Sequence, residues 1–348
     1  MTTEALPPLA ERVHAPEEPS LPEHPEVVLW RSATLDDVDA IFATQRAAEL
    51  ADHPDFLEPR EHLVDDLTGS NVDLARDSML ALDGEGNVLA WGLVWLHPGR
   101  ETRVQSHLWG TVRPDVRGRG IGRSLLEWQI ARSRRQLAGL DSALPAWTHV
   151  SGLAENTSLI RLAESFGLRI VRWFTEMERP VADPIPEIAL DEGVRLVPYE
   201  PELSEATRLA RNDAFRDHWG SQSTDPERWA KFTGAARFRA DLSRLVVADD
   251  PDGGVRVIAF ALASVNEEEW AGRGRPFGYI DLIGVRREGR GRRLAPAVMA
   301  AQLRAFAAAG LEDAVLDVDT ENPSGALGLY ERMGYAPGRR EVALVTEY

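Results

Sequence analysis

A glycine- and arginine-rich segment between residues 112 and 122 has the residue types needed to bind an anionic ligand. It reads VRPDVRGRGIG, leaves a predicted strand and opens a predicted helix. Glycine lets the backbone turn tightly so that N–H groups converge at the helix N-terminus, and arginine binds phosphate oxygens in a fixed geometry. We therefore predict a pyrophosphate-binding loop. Its expected contact residues are Val112, Arg117, Gly118, Arg119, Gly120, Ile121, Gly122 and Arg123.

A glycine-rich turn with a solvated basic edge is the alternative explanation of this segment. A dinucleotide-binding loop would instead need G-x-G-x-x-G near the first strand of a βαβ unit, followed by an acid about twenty residues later. The segment follows the fourth predicted strand and is one residue shorter. A P-loop would need Gly-Lys-Ser or Gly-Lys-Thr after the glycines, and neither is present.

A related segment, VRREGRGRRLA, occupies residues 285 to 295. It also follows a predicted strand, but Arg293 stands where the first segment has Gly120. Arginine resists the positive φ that glycine adopts, so we expect closer approach of a ligand to the backbone in the first segment. The expected contact residues in the second segment are Val285, Arg290, Gly291, Arg292, Arg293, Leu294 and Ala295.

The first segment resembles the acyl-CoA pyrophosphate loop of the GNAT acyltransferases, whose pattern is Arg or Gln, two residues, Gly, one residue, and Gly or Ala. Arg117, Gly120 and Gly122 match this pattern. In the second segment Arg290 and Ala295 match it. The resemblance implies that acetyl-CoA, or another acyl-CoA, is the co-substrate.

Residues 317 to 335, DVDTENPSGALGLYERMGY, are similar to another GNAT block. In that family an asparagine contacts the pantetheine arm and a tyrosine meets the thioester sulfur, roles that the resemblance assigns to Asn322 and Tyr330. The first copy has Ala163 at the position of Tyr330. The resemblance therefore places the working active site in the second copy, as in tandem-repeat GNAT proteins with a mycothiol synthase-like two-domain arrangement. An ordinary aromatic residue on a helix face is the alternative for Tyr330.

Attack of an amine on a thioester needs a proton acceptor, donors to the oxyanion and support for the departing thiolate. Tyr330 is the expected donor to the thiolate. The expected oxyanion donors are backbone N–H groups in residues 282 to 285, where GNAT proteins hold the acyl group.

Asp281 is the expected proton acceptor because alternation along a strand places it on the face of Ile283 and Val285. GNAT proteins often carry a carboxylate at this place. A structural or solvent-facing aspartate is the alternative, and Asp317 and Asp319 on the next strand are further candidates.

The two loops belong to two copies of one order of elements, with a strand and a helix before three strands, the loop, a helix, and a final strand, helix and strand. Each copy mixes hairpin-linked strands with one strand–helix–strand crossover. The predicted class is α+β, as two tandem GNAT domains with mixed central sheets flanked by helices. The predicted domains are a disordered Pro- and Glu-rich tail 1–25, an N-terminal domain 26–180, a linker 181–193 and a C-terminal domain 194–348.

Composition narrows the classes of partner. The chain has 348 residues, 43% of them apolar, which suits two domains, and its formal charge of −17 disfavours nucleic acid and anionic membranes as partners. Cysteine is absent and the eight histidines lack the spacing of metal ligands, so we expect no metal. No apolar stretch approaches the roughly 20 residues of a membrane span, and we expect a cytoplasmic monomer or homodimer.

The sequence therefore predicts an acyl-CoA-dependent N-acetyltransferase that acts on the primary amine of a small molecule by direct attack in a ternary complex. A catalytically silent CoA-binding or sensing protein is one alternative. A protein N-terminal or lysine acetyltransferase is the other.

Overall fold

The computed structural model describes residues 6–250, 253–321 and 325–348. It divides into two compact units, one containing the residues up to Arg172 together with Glu341–Tyr348, and the other Trp173–Arg340. The strands are β1 (Leu29–Arg31), β2 (Ser78–Leu82), β3 (Val88–Leu96), β4 (Val104–Val112), β5 (Ala146–Leu153), β6 (Arg169–Pro180), β7 (Val194–Pro198), β8 (Arg244–Asp249), β9 (Val255–Ser264), β10 (Phe277–Val285), β11 (Asp313–Asp319) and β12 (Ala336–Glu347).

The α-helices flank these strands and leave both units in the predicted α+β class. They are α1 (Leu9–Arg12), α2 (Val38–Asp52), α3 (Arg60–Leu67), α4 (Leu74–Asp77), α5 (Ile121–Ala138), α6 (Thr157–Ser165), α7 (Ser204–Ala214), α8 (Pro226–Gly234), α9 (Trp270–Arg273), α10 (Leu294–Ala308) and α11 (Ala326–Arg332). None of the described helices is both long and apolar enough to cross a membrane.

The sheet of the first unit has the strand order β1–β2–β3–β4–β5–β12. Only β4 and β5 are parallel among these neighbours, and the other pairs are antiparallel. The second unit has the order β6–β11–β10–β9–β8–β7, in which β10 and β11 are the parallel pair. Each unit is thus a mixed sheet with one parallel pair next to a series of hairpin-linked strands.

The last strand of each repeat pairs with a strand of the other repeat, which the repeat pattern does not predict. Residues 174–180 of β6 pair with residues 313–319 of β11, and residues 341–347 of β12 pair with residues 147–153 of β5. The two repeats present chemically similar sheet edges, so either final strand can satisfy the hydrogen bonds of either edge. The compact units consequently have bounds other than 26–180 and 194–348.

The N-terminal segment also differs from the expectation of a disordered tail. Leu9 and Val13 are buried against Leu137 and Ala146, and the N–H of Leu9 donates to the carbonyl of Ser142 at 2.8 Å. Leu9 and Val13 are one helical turn apart, and their burial orders this segment. The Pro- and Glu-rich composition did not indicate this packing.

The linker at residues 181–193 has no helix or strand, and it packs on the second unit. Val181 is buried, and Ile185 and Ile188 contact the same apolar core. Leu190 packs on the neighbouring cluster that contains Leu294.

The sheet of the second unit carries an apolar core on each face. We call the side covered by α7 and α8 the α7 face, and the side covered by α10 and α11 the α10 face. The α7-face core includes Tyr199, Ala210, Trp229, Leu245, Phe260 and Leu262. The α10-face core includes Ala263, Ile280, Met299, Leu303, Phe306 and Leu316.

Candidate active site

The two arginine- and glycine-rich loops have the same backbone shape. Gly118 and Gly291 have φ of 75° and 79°, and Gly120 has φ of 105°. Arg293 occupies the position of Gly120 with φ of 56°, and it is the only non-glycine residue with positive φ in the described part of the chain. A left-handed conformation costs a non-glycine residue about 1–2 kcal/mol. The second loop therefore retains the turn despite the arginine, at a cost in stability.

Each loop leads directly into a helix, α5 after Gly120 and α10 after Arg293. In neither helix does a described side chain cap the first turn. The first N–H groups of a helix lack intrahelical partners and carry the positive end of the helix dipole. Both loops therefore offer the backbone donors that a diphosphate requires.

Arg117 and Arg290, at equivalent positions of the two loops, each pair with an acid at or just beyond the end of a helix, which is α2 in the first unit and α7 in the second. Arg117 donates to both carboxylate oxygens of Asp52 at 2.6 and 2.9 Å. Arg290 lies 3.5 Å from Asp217, which follows α7 and also pairs with Arg287. These carboxylates fix the position of the guanidinium groups and occupy N–H donors that a diphosphate would otherwise contact.

The next loop arginine is paired in the same duplicated way. Arg119 lies 2.9 Å from Glu26, and Arg292 lies 3.1 Å from Asp191. Each acid stands three residues before the strand that opens its repeat, Glu26 before β1 and Asp191 before β7. In the first unit His24 Nε2 also lies 2.9 Å from the carbonyl oxygen of Arg119. The duplication thus extends to the ion pairs around the loops.

The parallel strands β10 and β11 separate partway along their length. Residues 277–279 pair with residues 313–315, whereas β10 continues to Val285 and β11 to Asp319 without further pairing between them. Along 282–285, alternate N–H groups point away from β9, because antiparallel neighbours bond only at every second residue on each side. Backbone N–H groups of β10 beyond Tyr279 are therefore not paired with β11, as the predicted oxyanion donors require.

Asp281 lies at a β-bulge, and its predicted face was wrong. Ile280 pairs with Ala263 and Leu282 pairs with Leu262, so Asp281 is the extra residue of β10. The bulge interrupts strict alternation, which places Asp281 on the α7 face. Its Oδ1 accepts a hydrogen bond of 3.1 Å from Ser264 Oγ on β9.

Val285 instead faces α10. It packs with Leu294 and Ile283 in an apolar cluster on that side of the sheet. Ile283 and Val285 thus share a face, as predicted, whereas Asp281 lies on the opposite face.

Tyr330 lies on α11 and belongs to the α10-face core. It is 8% exposed, and burial raises its pKa to about 12. The phenol therefore stays protonated at neutral pH and can act only as a hydrogen-bond donor or neutral acceptor. Ala163, its counterpart in the first unit, is buried on α6 and offers no hydroxyl group. Asn322 lies outside the described residues.

The α7 face of the second unit carries polar residues that the sequence patterns did not single out as a group. Tyr279 Oη donates to Asp317 Oδ2 across β10 and β11. Glu176 on the neighbouring β6 accepts hydrogen bonds from Arg273 at 2.7 Å and Arg339 at 3.0 Å. Asp313, Asp317 and Asp319 alternate along β11 on the face that also carries Val315, and this pattern could have signalled the face, but the contribution of β6 depends on the strand exchange.

Within the described residues, no three or more histidine or acidic side chains are grouped as a metal site would require.

Comparison with known proteins gives a consistent family. Residues 205–335 match the family model described as Acetyltransferase (GNAT) family. A mycothiol acetyltransferase of Salinispora arenicola is 33% identical over 232 residues, covering 65% of this chain and 68% of the relative. A mycothiol acetyltransferase of a Nocardioides species is 27% identical over 64% of this chain and 74% of its own length.

Solved structures match along most of the chain. A GCN5-related N-acetyltransferase from Sphaerobacter thermophilus is 26% identical with a TM-score of 0.64, covering 92% of this chain and 95% of that one. A tandem GNAT protein from the clavulanic acid biosynthesis pathway is 15% identical with a TM-score of 0.63, covering 92% and 98%. The latter likeness concerns the fold alone.

Proposed function

The chain belongs to the GNAT acetyltransferase family, and on that premise we propose that its second unit transfers an acetyl group from acetyl-CoA to the primary amine of a small molecule. One observation carries this assignment. The gap between β10 and β11 has a protonated phenol, Tyr330, in the core on one face and carboxylates on the other.

The first unit is proposed to have lost catalysis. It has a comparable loop and a parallel pair β4–β5, but Ala163 replaces the phenol. Binding of acyl-CoA by this unit is compatible with its loop, whose Gly120 adopts φ of 105° without the strain that Arg293 carries.

In the proposed reaction the amine nitrogen attacks the thioester carbonyl carbon directly, within a complex of enzyme, acetyl-CoA and acceptor. N–H groups along 282–285 donate to the oxyanion, and collapse of the intermediate breaks the C–S bond. Reference pKa values of about 10 for a phenol and about 8.5 for a thiol make full proton transfer from Tyr330 unfavourable. Tyr330 is therefore proposed to donate a hydrogen bond to the departing thiolate.

The acceptor enters from the α7 face in this proposal. Asp281 and Asp317 provide negative charge there, whereas Glu176 is neutralised by Arg273 and Arg339, and the two aspartates favour a cationic ammonium over an anionic acceptor. The names of the relatives support a small amine related to mycothiol as the first acceptor to test.

The full chain incubated with radiolabelled acetyl-CoA and a panel of small amines tests the proposal. We expect label to move to a small amine. Binding of CoA without transfer to any acceptor would favour the sensing protein, and label on polypeptide would favour a protein acetyltransferase.

Tyr330→Phe then tests the assignment to the second unit. Loss of the hydroxyl should lower kcat about 10- to 100-fold and leave CoA affinity within about twofold, because the ring still packs. Tyr335→Phe is the matched control, since its ring lies 6.0 Å from that of Tyr330 in the same core. Unchanged kcat in Tyr330→Phe would remove this phenol from the reaction.

A further inference from the structure

Asp317 lies at the edge of the gap between β10 and β11. Tyr279 and Val315 form the last residue pair before the strands separate, and Asp317 follows Val315 by two positions on β11. Side chains two apart on a strand share a face. Asp317 is thus the first side chain of β11 beyond the paired region on that face, and Tyr279 Oη donates a hydrogen bond to it.

This face is the one opposite Tyr330. Ala314, Leu316 and Val318 point into the α10-face core together with Tyr330, so Asp317 lies on the α7 face. An amine that approaches the thioester from the α7 face therefore passes this carboxylate, while the thiolate leaves toward the phenol on the other side.

Asp281 is on the same face, but its carboxylate is directed elsewhere. It accepts a hydrogen bond from Ser264 on β9, the neighbour of β10 on the side away from β11. The Tyr279–Asp317 pair instead spans the two strands that border the gap.

The groups around Asp317 shift its pKa in opposite directions, and the net result is a pKa above the ordinary value of an aspartate. Surrounding protein displaces water and raises its pKa, while the hydrogen bond from Tyr279 and the charges of Arg339 and Arg273 lower it. Glu176, its register partner on β6, is already bonded to both arginines. A basicity above that of an ordinary aspartate brings the carboxylate closer to the optimum of a general base at neutral pH.

We infer that Asp317 accepts the proton of the acceptor ammonium and that Tyr279 is the positioning residue for its carboxylate. The N–H bond of the ammonium breaks, its proton moves to a carboxylate oxygen, and the freed lone pair forms the C–N bond. The C–S electron pair leaves with the thiolate, and the second proton, which the nitrogen loses as the amide forms, passes to the sulfur and gives CoA as the free thiol. Part of the Asp317 side chain remains in contact with solvent, although neighbouring protein displaces some of its water, and through this part the proton returns to water. This inference rests on the proposed function.

The test compares pH–rate profiles of kcat/KM for the full chain and three variants. Asp317→Asn should lower kcat/KM at neutral pH about 100-fold and replace the acid limb set by the carboxylate with one at higher pH, set by deprotonation of the acceptor ammonium in solvent. Asp281→Asn should keep the acid limb. Asp319→Asn, on the same face of the same strand, is the matched control and should also keep it.

Tyr279→Phe gives a readout that a purely structural role would not produce. The phenol lowers the pKa of Asp317, so its removal should move the acid limb to higher pH and leave the plateau at high pH within a few-fold. If Asp317→Asn does not fold, the shift in Tyr279→Phe decides the question.

An acid limb that stays at its wild-type pH in Asp317→Asn, or is lost in Asp281→Asn, would overturn the inference while acetyl transfer by the wild-type chain upholds the proposed function. An unshifted limb in Tyr279→Phe would also count against it. Failure of the wild-type chain to acetylate any amine would overturn both the inference and the proposed function. The assay of the wild-type chain alone gives this result.

Discussion

Arg179 Nη1 donates to the carbonyl oxygen of Met333 at 2.7 Å, at the end of the helix that carries Tyr330. The arginine is 1% exposed and lies on β6, a strand that the repeat pattern assigns to the first copy. Its guanidinium also donates to the carbonyl of Asp183 at 3.1 Å. A cation at a helix C-terminus satisfies carbonyls that have no intrahelical partner. The exchanged strand thereby fixes the end of α11.

Arg179→Met should destabilise the protein because these buried carbonyls lose their donors. We expect a loss of about 1–3 kcal/mol in the free energy of unfolding, measured by urea denaturation, together with a lower kcat from displacement of Tyr330. Arg340→Met removes an exposed arginine of the second unit and should change stability by less than about 1 kcal/mol. Equal stability of the two variants would show that the hydrogen bond to Met333 does not contribute to the free energy of unfolding.

Backbone strain at Arg293 predicts that a glycine variant is more stable than an alanine variant, the reverse of the usual order. Arg293→Gly and Arg293→Ala both remove the charge, but only glycine adopts φ of 56° without a steric penalty. Arg293→Gly should be more stable than Arg293→Ala by about 1 kcal/mol in urea denaturation.

Arg292 provides the control for this order, since it does not have positive φ. There glycine should be less stable than alanine because it adds entropy to the unfolded chain. The same order at both positions would contradict the strain at Arg293.

The sequence is sufficient for the order of the elements and for the loops, because apolar runs and glycine spacing are local signals. β4 leads into the first loop and α5 begins within it, as predicted, and the GNAT fold is confirmed. α3 and α8 were not predicted. Both are short, and their sequences REHLVDDL and PERWAKFTG carry charged or aromatic residues whose helical state depends on packing.

The features that escaped prediction all depend on contacts between distant segments. The exchange of β6 and β12 follows from the likeness of two sheet edges, which periodicity within one strand does not encode. The bulge at Asp281 is set by pairing with β9, and a strict period of two therefore assigned the wrong face. The roles of Tyr330 and of the loop residues remain predictions.

His149 predicts a pH dependence of the first unit. Burial lowers its pKa from 6.5 to about 4, and its Nδ1 lies 2.8 Å from that of His107. The unfolded chain therefore binds more protons than the folded one between these values, so stability is complete above about pH 6.5 and is lost as pH falls toward 4. The loss attributable to this group should be about 1–3 kcal/mol.

His149→Gln should flatten this dependence between pH 6.5 and 4 relative to wild type, measured by thermal denaturation. His14→Gln alters an exposed histidine and serves as the control, which should follow the wild-type curve. Parallel curves for wild type and His149→Gln would contradict the linkage.

The acids that hold the loop arginines predict opposite outcomes for equivalent variants in the two units. Asp217 neutralises Arg287 and Arg290, and a diphosphate that binds this loop has to compete with its carboxylate. Asp217→Asn should therefore lower the KM for acetyl-CoA about three- to tenfold, with a larger effect at low ionic strength because exposed charges are screened by salt. Asp52→Asn frees Arg117 in the first unit and should leave this KM unchanged, since turnover reports on the catalytic unit. A fall in KM for Asp52→Asn with none for Asp217→Asn would assign catalysis to the first unit, because KM registers only the loop whose bound acetyl-CoA is consumed.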